Sequence, residues 1–425
     1  MTSTYDDLSR FNFVPGPPGP FIVGGEGSSL ITADGRRILD AAGGAIVANI
    51  GHGRREVADA VHAAMATGGY VIPLWPTPHR LELLDRLIGE WLPDGFDHVF
   101  FTSGGSESAD SAIRLARAYQ VSRGRPARWK VVGRHPSYHG MTVGTLSAAS
   151  HLSRQAGYEP LLLDFPKVPW DDPEAVVKVI EQEDPETIAG FIFEPITGAA
   201  GACLIASEEY WRTVADVCRE HDILLIADEV MTGFGRCGTT WGHEQCPIVP
   251  DVIYGGKGLG GGYVPMGMLA TTARVAEPLA EIGGFMFFTF TGNDPACAGA
   301  SKVLEILTRE SLLERCATMG ALLAARLDDV LGDHPNVREI RGRALFQGVE
   351  LVRDRDTDAP FPAAAKFTSA VVTECLARDM WVYPAGSGPV QDGVMIGCPF
   401  IITEAEIEQI VVTLRDGIDA AARAV

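Results

Sequence analysis

Two short apolar runs constrain the fold of this 425-residue chain more than any other stretch of it. The first run, Ile223 to Ala227, is followed directly by Asp228 and Glu229. The second, Val252 to Tyr254, is followed by Gly-Gly and then Lys257. Continuous apolar runs of this length are typical of strands buried on both faces of a parallel sheet. Because ligands of such sheets bind beyond the carboxyl ends of the strands, we expect the carboxylate and the amine to face one site.

The pairing of these two side chains indicates a particular chemistry. A lysine at a strand end can form a Schiff base with an aldehyde cofactor, and an aspartate can keep a ring nitrogen of that cofactor protonated. Either residue alone is a weak signal, because strands often end in acidic residues and glycine-flanked lysines are common. Together with the segments described below, they indicate a pyridoxal-phosphate enzyme.

Composition excludes several classes of partner. Hydrophobic residues make up 46% of the chain and charged residues 21%, as in an ordinary globular protein long enough for two or three lobes. The net charge of −20 argues against binding nucleic acid or an anionic membrane surface. No apolar run reaches about 18 residues, so no transmembrane helix is expected.

The cysteines and the N-terminus predict a cytoplasmic protein. None of the eight cysteines is spaced C-x-x-C, so the sequence suggests neither a zinc site nor a dithiol centre, and we expect no bound metal. The first residues, MTSTYDDLSRFNF, lack the basic and apolar regions of a signal peptide.

Strands and helices alternate through the middle of the chain. After HVFFT and a helix come WKVVGRH, a helix at 173–183, IAGFIFEPI, a helix at 207–220, and the two apolar runs described first. This alternation predicts an α/β domain whose mostly parallel sheet carries helices on both faces. Residues 51–305 form this predicted large domain, ending in a helix from about Ala296 to Thr308.

The two ends of the chain have a different character. Residues 1–50 contain a proline-rich arm, up to about residue 20, and a hairpin around Asp34-Gly35. Residues 306–425 read as α+β: helices near 311–331 and 363–379, strand-like runs at VREIRGRALFQGVELV, WVYP and GVMIGCPFII, and a last helix opening at Thr403. We expect this C-terminal part, with the N-terminal segment, to form a smaller α+β domain.

Further segments at predicted strand ends carry suitable chemistry. Gly105 and Ser106 lie between a strand and a helix, where free backbone N–H groups suit a phosphate; a plain tight turn is the alternative. Tyr138 follows the next strand and can stack on a planar ring, although tyrosine is also a common core residue. Val230 follows Asp228 by two residues, so the two side chains should share a face.

The order of these segments resembles the class III, or omega, aminotransferases, which are fold type I pyridoxal-phosphate enzymes. The similar motifs are S-G-G-S-E, Y-H-G, E-P-I, D-E-V-x-T-G-F-G-R, G-G-K-G and F-T-F-T-G-N, and the resemblance extends from DGRRILDAAGG to PFIITEAEI. It implies that pyridoxal 5′-phosphate (PLP) is the cofactor. It also implies a homodimer with active sites at the interface.

The resemblance assigns roles residue by residue. It implies that Lys257 is the Schiff-base lysine and proton shuttle, that Asp228 pairs with the pyridinium nitrogen, and that Glu194 orders the site. The remaining cofactor-binding residues it implies are Gly105 and Ser106 for the phosphate, Thr289 from the partner subunit, Tyr138 and Val230 on the two ring faces, and His139 beside Tyr138.

The sequence departs from the family where a substrate carboxylate would bind. Members acting on ω-amino acids with glutamate carry a glutamate where this chain has Ala199, and an arginine where it has Met395. Amine–pyruvate members carry a mobile arginine near the position of Tyr383, and no arginine or lysine lies between Arg378 and Arg415. A keto acid must therefore bind weakly or find a cation elsewhere, and the candidates are Arg54, Arg80 and Arg236.

These departures favour an apolar substituent on the substrate. The chain is expected to move an amino group from a primary amine or ω-amino compound to a keto acid or aldehyde. Two alternatives remain: a racemase, epimerase or aminomutase on the same scaffold, and a catalytically silent cofactor-binding protein. Candidates for the substrate pocket, each with an ordinary core position as its alternative, are Ile46, Trp75, Ala199, Phe287, Trp381 and Tyr383.

Overall fold

The computed structural model describes residues 19–282 and 286–425. The predicted proline-rich arm lies almost entirely outside these residues. No helix in the described part of the chain is both long enough and apolar enough to cross a membrane.

The strands match most of the apolar runs in the sequence. In chain order they are β1 (Ile22–Glu26), β2 (Ser29–Thr32), β3 (Arg37–Asp40), β4 (His98–Thr102), β5 (Lys130–His135), β6 (Lys167–Pro169), β7 (Ile188–Phe193), β8 (Leu224–Asp228), β9 (Val252–Gly255), β10 (Gly267–Thr271), β11 (Val337–Arg343), β12 (Phe346–Leu351), β13 (Met380–Trp381), β14 (Tyr383–Ser387) and β15 (Val390–Ile396).

The helices begin where the sequence supplies caps. Asp172, Ser207 and Thr403 each accept a backbone N–H of the first turn that follows. The α-helices are α1 (Gly43–Ile46), α2 (Arg55–Thr67), α3 (Pro78–Arg86), α4 (Gly105–Ser122), α5 (Val143–Ala148), α6 (Leu152–Gln155), α7 (Pro173–Gln182), α8 (Glu208–Glu220), α9 (Ala273–Ala276), α10 (Asp294–Arg309), α11 (Leu312–Leu331), α12 (Phe367–Ala377) and α13 (Glu404–Arg423).

A seven-stranded sheet forms the centre of the molecule, in the order β4-β10-β9-β8-β7-β5-β6. Strands β5 to β9 pair in parallel, whereas β10 is antiparallel to both of its neighbours. Every residue of β7, β8 and β9 is buried, as the continuous apolar runs predict. The predicted α/β class with a mostly parallel sheet is confirmed.

Two smaller sheets flank this centre. One is antiparallel and built from the C-terminal part, in the order β11-β12-β15-β14. The other has the order β1-β2-β3-β13, so the predicted N-terminal hairpin is present and β3 pairs in parallel with a C-terminal strand. This pairing packs the N-terminal segment against the C-terminal part of the chain.

The prediction that GVMIGCPFII is strand throughout is wrong, because β15 ends at Ile396. The segment Cys398–Ile402 is buried without being pleated: the Phe400 N–H donates to the Asn49 carbonyl at 2.8 Å, and its carbonyl accepts from Arg315 at 3.0 Å. The segment is apolar because it fills the core.

Candidate active site

A cavity of about 590 Å³, its open mouth included, lies at the carboxyl ends of β8 and β9. Asp228 is the last residue of β8 and pairs in register with Tyr254 of β9, so Lys257 leaves the neighbouring strand a few residues further on. Eight of the predicted site residues line this cavity: Gly105, Ser106, Tyr138, His139, Glu194, Asp228, Val230 and Lys257. Four more that were not proposed for the site also line it: Gly140, Ile196, Met231 and Thr232.

The Asp228 carboxylate is held by two neighbours. Its Oδ1 accepts a hydrogen bond from the Val230 N–H at 3.0 Å, and its Oδ2 lies 2.8 Å from His139 Nδ1. Both side chains are buried, and His139 Nε2 has no partner among the described residues. These two contacts fix the orientation of the carboxylate.

The adjacent Glu229 is also buried, but its hydrogen bonds stabilise the loop that follows β8. It accepts hydrogen bonds from the Thr232 hydroxyl, from the Gly242 N–H at 2.9 Å and from the His243 N–H at 2.8 Å. All of its neighbours lie in the loop that follows β8. Of the two consecutive acidic residues, only Asp228 lines the cavity.

Lys257 is placed by an unusual backbone conformation. Its φ of 36° lies in the left-handed region, at the start of the 3₁₀ turn Lys257–Leu259. Burial lowers the pKa of its amine to about 8, against the opposing charges of Asp228 and Glu194. An amine with this pKa is partly unprotonated near neutral pH and can act as a nucleophile or a base.

Glu194 forms a bridge between two loops of the site. Its carboxylate accepts the Tyr138 N–H at 2.9 Å and the Gly198 N–H at 3.1 Å. Its backbone carbonyl accepts a hydrogen bond from the buried Arg134 at 2.8 Å. Burial raises the pKa of the Glu194 carboxyl to about 7. The residue therefore fixes the loop that carries Tyr138.

The start of α4 forms a glycine-lined cradle. No side chain caps the helix at Gly104, so the first-turn N–H groups remain available to an anion. A Cβ at Gly105 would lie 3.0 Å from both methyl groups of Val230, so only glycine leaves the wall of the cavity in place. Gly140 has a φ of 132°, and a Cβ there would lie 2.6 Å from the Ser106 hydroxyl.

Other predicted residues lie outside the cavity. Thr289 is exposed on a loop, and the Trp75 side chain is 66% exposed. Phe287 is 36% exposed, and the Trp381 indole donates to the Gly44 carbonyl at 2.7 Å. These four positions do not meet Lys257 within one chain.

The remaining pocket candidates form one apolar cluster beside the cavity. Ile46 and Ala199 are buried in it, and Tyr383 packs against it. Ile196 and Met231 belong to both the cluster and the cavity wall, and Met395 is buried in the cluster. The two positions where relatives carry a charged pair are therefore apolar here and lie in the same cluster.

Comparison with known proteins identifies the family. The class-III aminotransferase family model matches residues 16–418. The chain belongs to the class-III aminotransferases. Its sequence is 33% identical to the hypotaurine/taurine–pyruvate aminotransferase of Paracoccus denitrificans, over 84% of this chain and 81% of that protein. It is 31% identical to the putrescine–pyruvate aminotransferase of Pseudomonas aeruginosa, over 95% of this chain and 91% of that protein.

Solved structures agree with this assignment. The omega transaminase from Pseudomonas jessenii in complex with PMP matches with a TM-score of 0.92 at 30% identity, covering 100% of this chain and 99% of that one. The protein is thus a PLP-dependent aminotransferase. The cavity fits PLP, because it combines a cradle for an anion, a buried carboxylate and a lysine with a lowered pKa.

Proposed function

We propose that this class-III aminotransferase moves an amino group from a primary amine or ω-amino compound to a keto acid or aldehyde. The observation that carries this proposal is the meeting of Lys257 and Asp228 in one cavity, where burial lowers the pKa of the lysine to about 8. Bound PLP would supply an aldehyde that condenses with amines and a ring that accepts electrons.

Lys257 would hold the cofactor covalently and move the proton of the substrate. Its amine would accept the proton of the substrate Cα atom and deliver it to the cofactor carbon on the other side of the amino nitrogen. A base whose pKa lies near the working pH performs both steps, and burial gives Lys257 that property.

Asp228 would hold the ring nitrogen in its protonated form. His139 and the Val230 N–H fix its orientation, and Glu194 ties down the loop that carries Tyr138. Tyr138 and Val230 would contact the faces of the ring. This arrangement would hold the Asp228 carboxylate in a fixed orientation toward the ring nitrogen.

The phosphate would bind at the start of α4, to Gly105 and Ser106. Thr289 is exposed in its own chain, which supports the proposal that it reaches the phosphate held by a second copy. A homodimer with shared active sites is therefore part of the proposed function.

The substrate side chain would enter the apolar cluster of Ile46, Ala199 and Tyr383. That cluster favours an apolar or uncharged substituent on the amine. The two relatives described above are named for pyruvate as acceptor, which supports a short keto acid as one amino acceptor.

The proposal also includes the domain boundaries and the cellular location of the protein. The domain boundaries at 50/51 and 305/306 are supported by the separate sheets, with the N-terminal segment joined to the C-terminal part through β3 and β13. A cytoplasmic location is supported by the eight cysteines, all of which are free thiols.

A panel of amines with pyruvate or propanal as acceptor tests the function. We expect PLP-dependent formation of alanine or propylamine, which a racemase would not produce. Lys257→Ala should lose turnover by several orders of magnitude, because the covalent link and the base are removed together. The exposed Lys178 provides the matched control, since Lys178→Ala should keep parental rates. Turnover of Lys257→Ala within tenfold of the parent would contradict the proposal.

A further inference from the structure

The three arginines that the sequence offered for a substrate carboxylate are all engaged elsewhere. Arg54 bonds both oxygens of Glu310, at 2.9 and 2.7 Å. Arg80 donates to the carbonyls of residues 71, 72, 75 and 292. Arg236 is fully buried and donates to Asn49 and to the Cys398 carbonyl. A carboxylate would have to break these contacts to bind any of them.

Arg154 differs from these three because its guanidinium donates to no oxygen atom among the residues that the structure describes. It lies on the single turn α6, and its Cζ is 4.5 Å from the centre of the Tyr138 ring, which lines the cavity. Its guanidinium otherwise contacts only the Met141 sulfur, at 4.0 Å, among the residues the structure describes. Apart from this weak sulfur contact, the N–H groups of the guanidinium have no hydrogen-bond partner among the described residues, so they are available to hold a carboxylate by two hydrogen bonds.

The turn that carries Arg154 is fixed to the rest of the site. The Leu152 N–H donates to the Ser387 hydroxyl at 2.9 Å, which links α6 to β14. The Gln155 side chain donates to the carbonyls of Leu146 and Ala149, both at 3.0 Å. A cation on a fixed turn loses less conformational freedom on binding than one on a mobile loop.

Arg154 is close enough for its positive charge to affect two residues that line the cavity, Lys257 and Tyr138. Burial is the main cause of the lowered pKa of Lys257, and Arg154 lowers it further. Burial raises the pKa of Tyr138, and Arg154 opposes that rise. A cation whose charge influences both groups can also stabilise a carboxylate bound between them.

We propose that Arg154 binds the carboxylate of a keto-acid acceptor, because Met395 and Tyr383, beside the cavity, supply no positive charge. The cavity already contains Asp228 and would contain the cofactor phosphate, so a third anion needs a positive partner. The inference rests on the proposed function, since it specifies the class of acceptor for the same site.

The test compares a short acceptor that carries a carboxylate with a short acceptor that carries none. Steady-state kcat/KM is measured for pyruvate and for propanal with the same amine, in the parent and in Arg154→Met. Methionine keeps an apolar stem and removes the charge. We expect the ratio of pyruvate to propanal kcat/KM to fall about tenfold or more, because a charge-assisted pair is lost. The ratio for Arg154→Lys should lie between those of the parent and of Arg154→Met, because lysine keeps the charge but lacks the planar guanidinium.

Arg219 supplies the matched control, because it is an exposed arginine on α8. Arg219→Met should leave the pyruvate-to-propanal ratio unchanged. An unchanged ratio in Arg154→Met, or an equal loss with both acceptors, would overturn the assignment of Arg154. If Arg154→Met does not fold, the same comparison is made with Arg154→Lys.

A binding measurement separates this inference from the proposed function. Calorimetry of PLP-loaded protein with propionate, and with propionamide as the uncharged analogue, reads the carboxylate contact without turnover. We expect propionate to bind about tenfold more weakly to Arg154→Met, with propionamide unaffected. If the parent turns over neither acceptor, the proposed function fails, and the propionate comparison still decides the role of Arg154. Equal propionate affinity in parent and variant would overturn that role.

Discussion

The pKa of the Lys257 amine is set by effects that oppose one another. Burial lowers the pKa of its amine, and the negative charges of Asp228 and Glu194 raise it, while Arg154 adds to the lowering. Burial dominates, so the pKa falls from 10.5 to about 8. The neutral, nucleophilic amine is therefore present at a pH about two units lower than for an ordinary lysine.

The first prediction is that Lys257 reacts at unusually low pH in the cofactor-free protein. Because only the neutral amine is nucleophilic, its labelling by acetic anhydride should rise with pH to a midpoint near 8. The exposed Lys178 on α7 serves as the internal control, and its labelling should rise at ordinary lysine pH. Mass spectrometry of labelled peptides measures both in one sample. Coincident midpoints for the two lysines would contradict the electrostatic account.

The second prediction concerns the Asp228 carboxylate. Asp228→Asn should fold normally but slow the proton transfer by about two orders of magnitude or more, because a neutral amide cannot keep a ring nitrogen protonated. Single-turnover absorbance of the PLP-loaded protein after amine addition measures this step. Asp216→Asn, which changes an exposed aspartate on α8, is the control. A single-turnover rate in Asp228→Asn equal to that of the control would count against this role.

The sequence predicted the site better than it predicted the substrate contacts. Asp228 and Lys257 were found because each directly follows a buried apolar run, and strand ends meet at one edge of a sheet. Arg154 was missed because α6 is a single turn without periodicity or motif, and only the fold brings it over Tyr138. The three arginines chosen instead were selected by sequence context, which does not reveal that Glu310 and backbone carbonyls already bind them.

At the scale of elements, the start of α4 depends on close packing against the loop after β8. Val230 contacts the helix at Gly105, where any Cβ would lie 3.0 Å from its methyl groups. At the preceding Gly104 a Cβ would meet nothing within 4 Å, and the extended backbone there, with a φ of 168°, suits any residue. Gly104 should therefore tolerate substitution by a residue with a side chain, whereas Gly105 should not.

The third prediction uses this contrast. Gly105→Ala should weaken PLP binding about tenfold, or roughly 1.4 kcal/mol, because overpacking displaces Val230 or the first turn of the helix. Gly104→Ala should bind PLP as the parent does. Fluorescence titration of the cofactor-free proteins measures the dissociation constants, and adding Val230→Ala to Gly105→Ala should restore part of the affinity. Equal affinity in the two single variants would disprove the packing argument.

The fold itself was predicted where helices and strands alternate and missed where they do not. Strands β7, β8 and β9 were correctly placed, since each is a continuous apolar run between helices or loops. Strand β10 was not recognised, because it follows a glycine-rich loop without an intervening helix and inserts antiparallel between β4 and β9. The three residues of β6 are too short to give a periodic signal.

At the scale of the whole molecule, one face of the chain is unusually apolar. Leu74 and Trp75 are 64% and 66% exposed, and the Tyr70 ring contacts that of the exposed Phe290, with centroids 6.2 Å apart. Exposed apolar side chains grouped in this way are typical of protein interfaces. The same face carries Thr289, next to Phe290, which supports a dimer interface that would also complete the phosphate site of the second copy.

The fourth prediction is that a charge on this face dissociates the dimer and thereby removes activity. Leu74→Asp should shift sedimentation-velocity boundaries from dimer to monomer, because an interface buries the new carboxylate without a partner. The monomer should bind PLP more weakly, since it lacks Thr289 from a second chain. Val249→Asp provides the matched control: Val249 is 80% exposed and precedes β9, at the end of that strand away from Lys257, so this variant should remain dimeric and active. A monomeric parent, or a Leu74→Asp dimer as tight as the Val249→Asp dimer, would show that this face is not the interface.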